Sequence, residues 1–107
     1  MRYYKYLYLS DTLKRKKDKL IKKIEKEKII PDLYLIRLAA NEKDQLEISS
    51  YRHLLHLPCP KQDLLVVGMT KGYEDAVYLV EEIVQEVYNK TKGADIRSYI
   101  LRKEQEG

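Results

Sequence analysis

Apolar positions along the chain change their spacing from segment to segment, and those changes mark out the elements. From Tyr3 to Leu9 the period is two: Tyr4, Tyr6 and Tyr8 share one face, and Tyr3, Lys5, Leu7 and Leu9 share the other. Tyrosine favours strands, so this stretch is expected to be the first one. Ser10 or Asp11 can then cap a helix running to about Lys28, with Leu13, Leu20, Ile21 and Ile24 in one narrow stripe. Ile29-Ile30-Pro31 ends it, because a residue before proline is pushed out of the helical region. Leu33 to Ala40 and Leu64 to Met69 read as the second and third strands. The former is apolar on both faces except at Arg37, the latter throughout. Such strands are usually covered on both sides, as in a parallel sheet.

The clearest helix follows Gly68-Met69-Thr70-Lys71-Gly72. Tyr73, Ala76, Val77, Val80, Ile83, Val84, Val87 and Tyr88 recur at three- and four-residue spacing and predict one core-facing stripe. Glu74 and Asp75 suit its positive first turn, Lys90 and Lys92 its negative end, and Gly93 a left-handed cap. Two segments are ambiguous. Asn41 to Pro60, carrying Leu46, Ile48, Tyr51, Leu54, Leu55 and Leu57, fits a short irregular helix better than a strand. Asp95 to Glu104 fits a capped helix with Ile96 and Ile100 on one face. It also fits a strand in which Ile96, Ser98 and Ile100 alternate with Arg97, Tyr99 and Leu101.

The order βαβαβα predicts a single α/β domain over residues 1–107. It would be a small three-layer fold with a three-stranded, mostly parallel sheet and a short C-terminal helix. With a strand at 95–104 the order becomes βαββαβ, the ferredoxin-like α+β plan. That plan wants a tighter link between its second and third strands than the roughly twenty residues present.

Composition narrows the class without naming a function. The 107 residues, 44% of them apolar, suit one folded core. The lone Cys59 has no intrachain partner, so a disulfide framework is out. No apolar run approaches the ~18 residues of a membrane helix, and the charged, tyrosine-rich start lacks a signal core. A cytoplasmic protein without membrane contact is the expectation. The net charge of +4 is unevenly placed. Residues 1–30 hold eleven basic and four acidic groups, a net +7; the remainder holds ten and thirteen, a net −3.

Charge and aromatic content suggest candidate chemistry, each with a plainer alternative. Arg15, Lys19, Lys22 and Lys26 form a ridge opposite the first helix's apolar stripe, spanning roughly 16 Å. A polyanion would relieve their mutual repulsion and release counterions, the basis of sequence-tolerant nucleic-acid binding. A solvated lysine face explains the same pattern. Ten tyrosines with no Phe or Trp are unusual. Tyr4, Tyr6 and Tyr8 on an open sheet could stack bases, but the third strand offers no partner aromatic. Packing under a helix, or at an interface where Tyr is enriched, accounts for them better. Gly68, Thr70, Lys71 and Gly72 lie between a strand and a helix, where backbone N–H groups can hold an anion. The stretch matches no phosphate-loop pattern, and Glu74 and Asp75 would repel a phosphate. His53, His56 and Cys59 form H-x-x-H-x-x-C, a metal set that lacks a fourth ligand. No catalytic constellation is complete and no cofactor is implied.

Tyr3–Leu9, the lysine-rich helix, Leu33–Ala40, Val67-Gly68-Met69-Thr70-Lys71-Gly72-Tyr73, the Ala76-to-Tyr88 helix and Asp95-Ile96-Arg97-Ser98-Tyr99 occur in that order. In this arrangement the chain resembles a group of short bacterial α/β proteins of anaerobic Firmicutes type whose function is unknown. The resemblance implies a bacterial cytosolic protein and supplies no functional residues. The expectation is a non-catalytic α/β protein acting through self-association, as a homodimer, or through contacts with a protein partner. The alternative is nucleic-acid binding through the basic ridge. Two unpaired sheet edges motivate the first.

Overall fold

The computed structural model describes residues 1–39, 45–56 and 64–106. They form a mixed four-stranded sheet with helices on both faces. The strands are β1 (Arg2–Leu9), β2 (Leu33–Leu38), β3 (Leu46–Ser50) and β4 (Leu65–Lys71), in the spatial order β1-β4-β2-β3. β1 and β4 run parallel, while β2 is antiparallel to both β4 and β3. The expected α/β class and helix cover on both faces are present. The three-stranded, mostly parallel sheet is not, and neither is the ferredoxin-like alternative.

Two local readings produced that difference. Among the described residues of Asn41–Pro60, a segment expected to be helical, Leu46–Ser50 is a strand and only Tyr51–Leu55 is helix (α2). Leu46 and Ile48 sit opposite Leu38 and Ile36 and line one face of the sheet. Glu47 turns the other way, where Arg37 meets it at 2.6 Å. A five-residue strand with two apolar positions is too short to show a period. The segment from Ile96 to Gln105 is a helix (α4), so the strand option there fails. Asp95 caps it by accepting from the Ser98 backbone N–H at 3.1 Å and from the Ser98 hydroxyl at 2.8 Å. These two bonds hold the Asp95 carboxyl below the usual carboxylate range.

The first helical region divides in two. Asp11–Lys16 is a 3-10 segment, and α1 covers only Lys17–Glu25. On this face Leu13, Leu20 and Ile24 pack with Leu35, Val66, Met69 and with Tyr51 and Leu54 of α2. On the other face α3 (Tyr73–Thr91) and α4 cover Tyr4, Ile36, Leu38, Leu65 and Val67. The central strand β4 does not alternate cleanly, because Ile36 pairs with Gly68 while Arg37 pairs with Val66. Val67 is therefore an extra residue, a β-bulge. It places Val67 and Gly68 on the same side, and a Cβ at Gly68 would stand 3.2 Å from Leu79 and 3.3 Å from the Tyr8 carbonyl.

α3 starts at Gly72, whose φ of 88° and ψ of 150° suit glycine almost alone. Its left-handed C-terminal residue is Lys92 (φ 58°), not Gly93. Replacing Gly72 with Ala is therefore expected to cost about 1–3 kcal/mol in chemical denaturation. Gly93→Ala should stay within about 0.5 kcal/mol, since that backbone makes no special demand. Equal effects at the two positions would contradict this assignment.

Candidate interaction surface

Tyr4, Tyr6 and Tyr8 of β1 share one face, as their alternation predicts, and that face is the one beneath α3 and α4. Tyr4 is buried, Tyr8 half-buried and Tyr6 half-exposed. Tyr4 stacks on Tyr8 at 6.0 Å and meets Tyr6 edge-on at 5.8 Å. Tyr8 donates its hydroxyl to the Glu86 carboxylate of α3, and the Tyr99 hydroxyl lies 3.5 Å from the same oxygen. Burial, then the hydrogen bond to Glu86, pushes the Tyr8 hydroxyl well above its ordinary pKa. Burial, then the neighbouring Tyr99, does the same to Tyr4. Tyr6 has the ammonium groups of Lys103 and Lys5 at 5.6 and 5.9 Å from its ring centre.

The β1 edge of the sheet is covered by the end of α4. Between the pairs Tyr3–Val66 and Tyr8–Gly68, β1 spends four residues where β4 spends one. In that arch the Lys5 backbone N–H donates to the Glu104 carboxylate at 2.6 Å, and the Lys5 ammonium donates to the Glu106 carbonyl. A side chain here takes up a backbone donor that another strand would otherwise capture, which is one way native sheets blunt an edge.

The basic ridge is solvent-facing: Arg15, Lys19, Lys22 and Lys26 are all exposed. Arg15 belongs to the 3-10 segment, whose three residues per turn rotate it relative to the lysines of α1. α1 and the acidic α3 lie on opposite faces of the sheet, so the sequence's charge asymmetry becomes a field across the molecule.

Around the strand-to-helix turn, two of the donors proposed for an anion have partners within the chain. Gly72 N–H donates to the Asp32 carbonyl at 2.7 Å, and the buried Thr70 hydroxyl donates to the Gly72 carbonyl at 3.2 Å. Lys71 is exposed, as are Glu74 and Asp75. Of the soft-ligand set, His53 and His56 are exposed on and just after α2, and Cys59 lies outside the described residues. The His53 backbone N–H is used by the Ser50 side chain to cap α2, at 3.0 Å. Among the described residues no group of three metal-ligating side chains occurs, and no helix is long and apolar enough to cross a membrane. Between the α1–β2 connection and α2 a groove of about 860 Å³ opens, with Ile29, Pro31 and Tyr34 among its walls beside Arg52 and His56.

The feature that sequence reasoning placed wrongly is on α3. Ala76, Leu79, Ile83 and Val87 are buried against the sheet. Tyr73 and Tyr88, expected in that same stripe, are 57% and 53% exposed, and Val84 is 39% exposed. With Val77 and Val80, both half-buried, they form a second stripe about a quarter turn round the helix. It runs about 22 Å along the helix, at 1.5 Å per residue. Glu86 marks the opposite flank, facing β1 and α4 through Tyr8 and Tyr99. The apolar stripe therefore faces the β3 side. Tyr73 confirms this by resting edge-on against Tyr34 of β2 at 5.8 Å. Below it, Leu46 and Ile48 of the edge strand β3 are only half-buried. Single exposed apolar residues are ordinary, but an aligned run with two tyrosines is what contact surfaces look like. Comparison with protein-family models, curated proteins and solved structures gives no match.

Proposed function

We propose that this chain is a non-catalytic interaction domain, acting by contact through the flank of α3 that faces β3. The observation that carries the reading is the stripe of exposed Tyr73, Val84 and Tyr88 with half-buried Val77 and Val80, above the half-buried Leu46 and Ile48. The site moves from β1 to α3 in this reading. Tyr4 and Tyr8 are spent on the core and on Glu86, and the β1 edge is covered by Glu104. Burying the stripe against a partner would remove apolar surface from water at about 25 cal/mol per Å², without any change in the domain's own packing.

A triple variant, Tyr73→Ser with Val84→Ser and Tyr88→Ser, tests the reading. Denaturant stability is expected to change by no more than about 0.5 kcal/mol at each of positions 84 and 88, and by about 1 kcal/mol at 73, where the ring rests on Tyr34. In intact source cells treated with a membrane-permeant cross-linker, the wild type is expected in an adduct larger than its own 12.8 kDa. The triple variant is expected to stay at the size of the free chain. A wild type that forms no adduct, or a variant that keeps it, overturns the proposal.

A further inference from the structure

Resting on that reading, we infer that the partner of the α3 flank is a second copy of this chain, docked about a two-fold axis that sets β3 beside β3 and α3 beside α3, both antiparallel. Three features point to this occupant.

The first is the free edge. Ala39 N–H donates to the Gln45 carbonyl, and Leu38 lies opposite Leu46, so Ala39–Gln45, Arg37–Glu47 and Leu35–Ser49 are the pairs that bond across the β2–β3 ladder. In an antiparallel ladder the alternate residues turn their backbone groups outward. Those of Leu46 and Ile48 thus point away from β2, with no partner among the described residues. The β1 edge is capped by a side chain; among the described residues this one is not.

The second is a match of levels. Tyr73 rests on Tyr34, which pairs with Ser50. Counting about 1.5 Å per helix residue and about 3.3 Å per strand residue from there places the middle of the stripe over residues 46–47 of β3. That is between one and two residues from Ile48, the middle of β3. One axis normal to the sheet can therefore pass close to the centre of both elements, pairing Ile48 with Ile48 and setting Tyr73 toward Tyr88, Val77 toward Val84, and Val80 toward Val80. An isologous contact requires this kind of self-complementarity.

The third is charge. α3 carries Glu74 and Asp75 in its first turn and Glu81 and Glu82 midway, with Lys90 in its last turn and Lys92 just beyond. Antiparallel copies bring Glu74 of one helix toward Lys92 of the other, while Asp75 and Lys90 lie on the far side of the helix and Glu81 meets its own copy beside the axis. Parallel copies would set acid against acid. Lys92 already lies 5.8 Å from the Tyr88 ring centre, at the end that would meet the partner's first turn. The contact consists of one helix flank and one five-residue strand, small beside the ~800 Å² per partner of stable complexes. Association is thus expected at high micromolar concentration.

Sedimentation equilibrium of the purified full chain is expected to show a monomer passing to twice 12.8 kDa as concentration rises into that range. Val84→Asp should remain monomeric with unchanged circular dichroism and melting temperature. In a Cys59→Ser background, Glu81→Cys beside the axis should be joined to its copy by a short bis-maleimide. Tyr78→Cys, on the outward side of α3 and 62% exposed as Tyr78, should not. Wild type that stays monomeric at high micromolar concentration overturns the second-copy inference. The interaction reading survives that result if the larger adduct still forms in cross-linked cells, and falls if it does not. A dimer that is cross-linked through position 78 and not 81 overturns the two-fold geometry.

Discussion

Raising the pH above about 10 is expected to unfold this protein steeply, and the cause is the burial of tyrosines. Tyr4 and Tyr51 are almost wholly covered, and Tyr3 and Tyr8 are half-buried. Burial is the leading cause that pushes each of the four hydroxyls up. Tyr3 reaches about 12, helped by the carboxylate of Glu25. Glu27 adds to the effect at Tyr51, and Glu86 at Tyr8 and Tyr4. A tyrosine with a raised pKa in the folded state binds its proton more tightly there than in the unfolded chain. Its stabilising share is complete below pH ~10 and is lost as the pH climbs toward the folded value.

Tyr4 loses about 1.4 kcal/mol per pH unit above 10, Tyr3 and Tyr8 less because water screens part of the effect, and Tyr51 acts in the same direction. Together they remove several kcal/mol of a typical stability of about 5–15 kcal/mol within about two units. Tyrosinate absorbance and helical circular dichroism, followed against pH, should change together for a share of the ten tyrosines. Tyr4→Phe should make the alkaline loss of stability shallower, since one proton no longer has to leave. Helical signal that stays intact while every tyrosine ionises would refute the account.

The second large effect is expected at Tyr51. This ring opens α2, is 1% exposed, and lies in the core shared by Leu20, Ile24, Leu35 and Leu54. Its hydroxyl donates to the Lys28 carbonyl at 2.8 Å and so ties α2 to the connection after α1. Tyr51→Ala removes the ring and leaves a cavity between the helices and the sheet, at an expected cost of about 3–5 kcal/mol. Tyr51→Phe keeps the ring and should cost about 1 kcal/mol, the net value of one hydrogen bond. Urea denaturation separates the two. Equal losses would mean that the tie to Lys28, not the packing, holds this layer, and negligible losses would show that the layer is not cooperative with the rest.

Tyr51 illustrates why part of the fold was illegible in the sequence. It stands where a five-residue strand passes directly into a five-residue helix, and neither is long enough to express a period. Missing β3 changed the sheet from three strands to four. Adding it as a hairpin partner of β2 also let β4 insert between β1 and β2 in the reverse sense to β2. The long elements were legible. β1, β2, β4 and α3 fall within two or three residues of their expected bounds, because each repeats its pattern often enough to average over exceptions.

The candidate site was legible in its residues and not in its position. Every residue of the α3 stripe was visible as apolar and in register. Yet the sequence joined two arcs of the helix into one, since periodicity measures how wide an apolar face is and not how much of it a sheet covers. Coverage depends on where the helix lies across the strands. α3 presents one flank to β1 and α4 and the other to the edge strand β3, so half of its apolar arc stays uncovered. The charges followed the same logic. The sequence alone determined that the amino-terminal third is basic, that the last long helix is acidic, and that tyrosine does the aromatic packing. Only the tertiary structure decided that the two charged helices lie on opposite faces, that Tyr4 is interior and Tyr8 half-buried, and that Tyr73 and Tyr88 are exposed. Local spacing is written into the chain residue by residue, whereas which face is left open is set by strand order, a property of contacts between segments far apart in sequence.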